Sequence, residues 1–208
     1  MIRNVAALYV DPRGPYPKLV EHWYDEKRDA RKYAGPWPVV AHPPCGPWSS
    51  LRHLHTKPEE KELGALAMSQ ARTWGGIVEQ PAGSRLFGVC GLEPTSVMGL
   101  ELRDRFGFVV VVDQVYWGHV ARKRTWLYCV GIPSWMLHVV PPRPNARPTH
   151  WCSGGRTKRP GMGATVPPGI KVCSAQQRRR TPVAFAEWLL SLASTASSHR
   201  PEQPHESP

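Results

Sequence analysis

The chain has 208 residues, 41% of them hydrophobic, which suits one ordinary core with a small appendage and excludes a large multidomain assembly. Lys and Arg number 27 against 16 Asp and Glu, a formal charge of +11 that would attract a polyanion, nucleic acid first. No apolar run approaches the ~20 residues of a membrane span, and the N-terminus lacks a signal-peptide core. The five cysteines are odd in number with no two-residue gap, which points to a reducing cytoplasm rather than a disulfide framework or structural zinc.

Residues 5–10 (VAALYV) read as a first strand, apolar on both faces as in a parallel sheet. The turn Asp11-Pro12-Arg13-Gly14-Pro15-Tyr16 follows, with Asp11 at the carboxyl end of the strand, where open α/β sheets bind ligands. Residues 21–33 alternate charges and predict an exposed helix. Residues 39–41 (VVA) form the next strand, which breaks at Pro43-Pro44-Cys45-Gly46-Pro47-Trp48-Ser49. Two prolines fix φ and remove donors, so the chain leaves the sheet in a stiff form. A cysteine held there is where an α/β protein would carry a nucleophile; the ordinary alternative is a small buried hydrophobe.

Arg52, His53, His55 and Lys57 make a basic segment without a third metal ligand nearby, so no metal is expected. A helix is predicted over 58–74, with Pro58 at its start, Glu59 and Glu60 in the first turn and Gly75-Gly76 after it. Residues 77–79 predict a strand and Gln80-Pro81-Ala82-Gly83-Ser84 a loop. Residues 97–105 predict a helix. Residues 108–112 and 125–130 read as a β-hairpin around a loop bearing Tyr116, Trp117, His119, Arg122, Lys123 and Arg124. Residues 133–180 are rich in Pro, Gly and Arg, with little periodicity. A final helix is predicted from Thr181 as cap and Pro182 as first residue through Leu192. The polar tail 194–208 is expected to be disordered.

Three loops fall in order, each after a strand: Pro43-Pro44-Cys45-Gly46-Pro47-Trp48-Ser49, then Glu79-Gln80-Pro81, then Ala121-Arg122-Lys123-Arg124 leading into a strand that ends Val130-Gly131-Ile132. Together, over residues 39–132, they resemble the catalytic half of the DNA cytosine carbon-5 methyltransferases, and the chain is similar to short phage and prophage proteins of that kind. The resemblance implies a nucleophilic Cys45 adding to cytosine carbon-6, Glu79 supplying a proton to ring nitrogen-3, and Arg122 and Arg124 stabilising the base oxygen and a flanking phosphate. The target base would be flipped out of the duplex, with Trp48 or Trp117 filling the gap.

The family pattern is not reproduced throughout. Gln80 stands where the family has Asn, and Val120 replaces the first Gln of a Gln-x-Arg-x-Arg segment. The family's Phe-x-Gly-x-Gly loop for S-adenosylmethionine is absent after the first strand, and one strand–helix unit is missing before the cysteine loop. Asp11, Pro43 and Trp48 are the candidate cofactor contacts; Asp25 is a further candidate. Ser49, Arg52, Trp117, Lys123, Arg178, Arg179 and Arg180 are the candidate DNA contacts.

The expectation is thus an α/β protein with a trimmed Rossmann-like, mostly parallel sheet flanked by helices. A core over 1–132 would be followed by an irregular basic insertion over 133–180, a target-recognition region by resemblance, and by a helix over 181–193 packed on the core. The leading expectation for function is a DNA cytosine carbon-5 methyltransferase-like enzyme of the cytoplasm. The alternatives are an inactive DNA-binding protein of the same fold and a cytosine modification using another donor.

Overall fold

The computed structural model describes residues 1–92, 102–137, 141–152, 166 and 168–197. The strands are β1 (Ile2–Leu8), β2 (Val20–Tyr24), β3 (Val39–Ala41), β4 (Gly76–Pro81), β5 (Leu102–Arg103), β6 (Gly107–Asp113), β7 (Arg124–Val130), β8 (His150–Trp151) and β9 (Lys171–Val172). The helices are α1 (Tyr16–Leu19), α2 (Glu60–Trp74), α3 (Leu86–Val89), α4 (Ala175–Arg179) and α5 (Val183–Ala193).

The main sheet runs β2-β1-β3-β4-β7-β6-β5. β2, β1, β3 and β4 are mutually parallel, whereas β7 is antiparallel to both β4 and β6. β6 therefore points the same way as the parallel four, and β7 is the reversed strand among the six long ones. The α/β architecture with a mostly parallel sheet matches the expectation from sequence.

Side-chain alternation along the strands divides the core in two. Val5, Ala7, Val40, Ile77, Leu127 and Cys129 pack on one face with Phe185, Leu189 and Leu190 of α5. Ala6, Leu8, Val39, Ala41, Val78 and Tyr128 pack on the other with Ala67, Met68 and Ala71 of α2. The central strands read as unbroken apolar runs because both faces are covered. Gly76 opens β4 at φ +113, and a Cβ there would stand 2.0 Å from the Val39 carbonyl oxygen, so only glycine lets the two strands meet.

The helix expected over 21–33 is a correction. Its first part is β2, paired with β1 through Ile2↔Val20, Ala6↔His22 and Leu8↔Tyr24. Val20, Trp23 and Tyr24 favour a strand, and the charges at Glu21 and beyond suit an edge; only Ala30–Lys32 turns helically, as a 3₁₀ segment. Of the helix expected over 97–105, residues 97–101 lie outside the described residues, while Leu102–Arg103 is the strand β5, paired with β6. Glu79 and Gln80, expected at the end of a strand and in the loop after it, both lie inside β4.

The described part of 133–180 is more regular than expected. β8 and β9 pair in parallel, and α4 carries a capping box between Ser174 and Gln177. The segment docks on the loop between β6 and β7 through Arg143 N–H to the Tyr116 carbonyl (3.0 Å) and Thr149 N–H to the Val120 carbonyl (2.9 Å). The Cys152 and Cys173 sulfurs lie 3.3 Å apart as free thiols. Of the tail, residues 198–208 lie outside the described residues. Among the described residues, no helix is long and apolar enough to cross a membrane.

Candidate active site

The sheet order reverses between β1 and β3, and open α/β sheets bind ligands beyond the carboxyl ends of the strands at such a point. β3 ends early here. Its pairing with β4 stops at Ala41↔Val78, because the following Pro43 and Pro44 have no N–H to continue a ladder. β4 and β7 go on pairing for three more residues, Glu79↔Leu127, Gln80↔Trp126 and Pro81↔Thr125. β3 thus leaves the sheet beside the last residues of β4, where Glu79 lies on the face shared with Ile77 and Leu127.

The Gln80 amide holds the departing loop by donating to the Pro43 carbonyl at 2.7 Å, and Ser84 Oγ donates back to Gln80 Oε1 at 2.9 Å. Pro43 is buried and acts through that carbonyl as a strut. Arg85 N–H donates to the Trp48 carbonyl, which ties the far end of the loop to the segment after β4.

Glu79 is buried, and each of its carboxylate oxygens accepts one hydrogen bond. Oε2 accepts from His42 Nδ1 at 3.0 Å, and Oε1 accepts from Gln114 Nε2 at 3.0 Å. Gln114 Nε2 also reaches Thr125 Oγ at 2.9 Å. The other imidazole nitrogen of His42, Nε2, is 2.5 Å from the Tyr16 hydroxyl. Burial alone would push the Glu79 carboxyl up; the positive charge of Lys123 and the hydrogen bonds from His42 and Gln114 outweigh it and hold it at about 2. Glu79 is therefore a carboxylate at neutral pH. Desolvation pushes the Tyr16 hydroxyl up, with the nearby charge of Glu79 adding to it, so the phenol keeps its proton.

Cys45 caps a 3₁₀ turn, Gly46–Trp48, and has access to solvent. Desolvation by the surrounding loop, and then the negative charge of Glu79, push its thiol up; Lys123 and Arg179 pull it down. The resting group is a thiol, standing in the fields of one carboxylate and two cations. Arg179, from α4, is thereby brought towards the cysteine from 134 residues along the chain.

The remaining candidates divide. Arg122 is turned to Asp113, its Nε 2.9 Å from Oδ2, rather than to the Glu79 cluster. Arg124 is the exposed first residue of β7, opposite Asp113 in the ladder. Arg52, Arg178, Arg179 and Arg180 are exposed; Arg178 also donates to the Cys173 carbonyl at 3.3 Å. Ser49 Oγ bonds within its own turn, to the Gly46 carbonyl and the Leu51 N–H.

Two tryptophans expected at the ligand are core residues instead. Trp48 is 4% exposed in the core under α2, where Gly64 leaves room for its indole. Trp117 is 7% exposed, with its ring centroid 4.5 Å from that of Trp188 and 5.4 Å from that of Phe185. Large aromatic side chains bury more apolar area than almost any other, and both found a core within reach.

Asp11 and Asp25 face an open concavity of about 540 Å³ beyond β1 and β2, lined also by Val10, Pro12, Arg13, Glu26 and Lys27. Its lining does not match a cradle for S-adenosylmethionine. Asp11 is closed upon by Arg13, through its N–H at 2.9 Å and Nε at 3.2 Å; Asp25 caps the Arg28 N–H at 2.7 Å. Gly14 is the loop's one glycine, and its backbone already packs on the Asp11 carbonyl, so no run of bare backbone is left for a cofactor to approach.

Among the described residues, no group of three or more His, Cys, Asp or Glu is placed to hold a metal ion. Tyr16, His42, Gln114 and Thr125 were not singled out from the sequence. The available signals were position alone: His42 directly precedes the double proline, and Gln114 directly follows β6. No family model matches the chain, and no curated protein is significantly similar to it.

Proposed function

We propose that the chain is a cytoplasmic, DNA-acting enzyme of the cytosine carbon-5 methyltransferase type, working by addition of Cys45 to the base. The observation that carries the reading is the placement of an exposed Cys45 on a loop that the Gln80 amide ties to β4 through the Pro43 carbonyl at 2.7 Å, next to the buried Glu79 of the same strand. Held at about 2, Glu79 stays a carboxylate and a weak base, so the thiol proton leaves to solvent as the sulfur attacks.

The step balances. The Cys45 sulfur bonds to carbon-6, the carbon-5–carbon-6 π pair moves to the carbon-4–carbon-5 bond, and the carbon-4–nitrogen-3 π pair moves to nitrogen-3. Nitrogen-3 takes up a proton from solvent in exchange for the one the thiol lost, and the Glu79 carboxylate accepts from the new N–H. Carbon-5 becomes an enamine carbon able to attack an electrophile. Lys123 and Arg179 offset the charge gathered at the sulfur, and the exposed arginines of α4 suit the flanking phosphates. The addition needs no cofactor, and no step here runs through one.

The test follows from that independence. An enamine carbon-5 picks up a proton from water, so reversible addition exchanges the carbon-5 hydrogen. Duplex and single-stranded DNA tritiated at cytosine carbon-5 should release label with the wild-type chain, and Cys45→Ser should abolish release while keeping DNA binding. Binding without release by the wild type would overturn the enzyme reading in favour of a second one, a DNA-binding protein without chemistry, which the exposed Arg178, Arg179 and Arg180 favour.

A further inference from the structure

The addition chemistry leaves two buried groups without a task. Tyr16 is 2% exposed and comes from α1, far from the cysteine loop in sequence. Its hydroxyl meets His42 Nε2 at 2.5 Å, with the two rings 5.0 Å apart between centroids. His42 is the last residue before the double proline, and its backbone N–H is itself fixed on the Leu8 carbonyl at 3.0 Å. Its Nδ1 meets Glu79 Oε2 at 3.0 Å. A hydroxyl, an imidazole and a carboxylate thus stand in line, each from a different segment of the chain.

For a neutral imidazole the polarity of this line follows from its end groups. An ionised carboxylate only accepts, so His42 Nδ1 must carry the hydrogen it donates. In the neutral imidazole Nε2 is then the acceptor, and the phenol, which keeps its proton, is the donor facing it. Tyr16 therefore selects the imidazole tautomer that Glu79 requires. The same arrangement turns one carboxylate oxygen to His42 and leaves the other to Gln114.

We infer that Tyr16 and His42 are positioning residues for Glu79, a relay that sets the tautomer of the imidazole and through it the orientation and charge of the carboxylate that receives the nitrogen-3 N–H. The inference rests on the addition reading of Cys45. Its physical basis is that a group held by its neighbour's outer hydrogen bond is oriented by it; in metal sites, where histidine ligands are held in this way, losing such a bond typically lowers activity about 10–100-fold, which sets the scale here.

Two measurements on the full chain test it. Long-range nitrogen–proton correlation spectra read the tautomer of His42, identified as the signal missing from His42→Gln. The wild type should show hydrogen on Nδ1, and Tyr16→Phe should give a mixture of tautomers. Tritium release from cytosine carbon-5 should fall about 10–100-fold in Tyr16→Phe with DNA affinity unchanged. His42→Gln keeps an N–H donor for Glu79 and should retain more release than His42→Leu.

Hydrogen on Nε2 in the wild type overturns the relay directly. So does a Tyr16→Phe chain with wild-type release, or equal loss in His42→Gln and His42→Leu; in each case release by the wild type leaves the Cys45 reading standing. A wild type that shows the Nδ1 tautomer yet releases no label fails the Cys45 reading itself, and reduces the line to architecture, which overturns the positioning role.

Discussion

Replacing Glu79 by glutamine probes the buried seat quantitatively. Folding lowers the carboxyl from an ordinary 4.5 to about 2, and one pKa unit is worth about 1.4 kcal/mol. The ionised group therefore contributes about 3 kcal/mol of stability at neutral pH, as an order of magnitude. Because the pKa is depressed in the folded chain, the unfolded chain takes the proton first. The contribution is complete above the unfolded value and is lost as pH falls through 4.5 towards 2. Some two thirds of it, about 2 kcal/mol, is gone by about pH 3.

The Glu79→Gln chain would have no such titration. Its new side chain would also set an amide N–H₂ against one of two donors, His42 Nδ1 or Gln114 Nε2, at a cost of about 1–3 kcal/mol at neutral pH. Urea unfolding of both proteins from about pH 7 to about pH 3 should show the wild-type advantage shrinking by about 2 kcal/mol. A difference that stays constant to within about 0.5 kcal/mol over that range would refute the depressed ionisation and the reading of Glu79 as a stabilised carboxylate.

Phe185→Ala should destabilise the fold by about 3–5 kcal/mol in urea unfolding, since the ring is fully buried between the sheet, Trp117 and Trp188. Changing Arg178, Arg179 and Arg180 together to Ala should weaken DNA binding and flatten the dependence of log K on log salt by about 2–3, as read by fluorescence anisotropy at several salt concentrations. Alkylation of Cys45 by iodoacetamide should be slow at neutral pH and rise at higher pH than for a free thiol, because the group is pushed up. Lys123→Ala should slow it further at a fixed pH, since that ammonium pulls the thiol down.

The order of strands and of the principal helices was legible because both faces of the sheet are covered, which leaves apolar runs such as Val5–Leu8 that announce themselves. β2 was not, since its identity lies in pairing with β1 rather than in its own charged pattern. The cysteine loop and Glu79 were visible through proline, strand and resemblance. Trp48 and Trp117 looked like ligand contacts because composition cannot tell an aromatic on a surface loop from one folded back under a helix. The line Tyr16–His42–Glu79 was hidden for a similar reason: its members are 26 and 37 residues apart, and only the parallel crossovers bring the strand ends together.

The cysteine loop is anchored close to Cys45 on both sides. Upstream, His42 is tied to Leu8 and to Glu79, and Pro43 to Gln80; downstream, the Trp48 N–H returns to the Cys45 carbonyl and the Trp48 carbonyl is tied to Arg85. Cys45 therefore rides a short tether between fixed posts, and the reach of its sulfur is that of a single side-chain rotation. Were Cys45 to act as proposed, adjustment for contact would fall to the incoming base rather than to the loop.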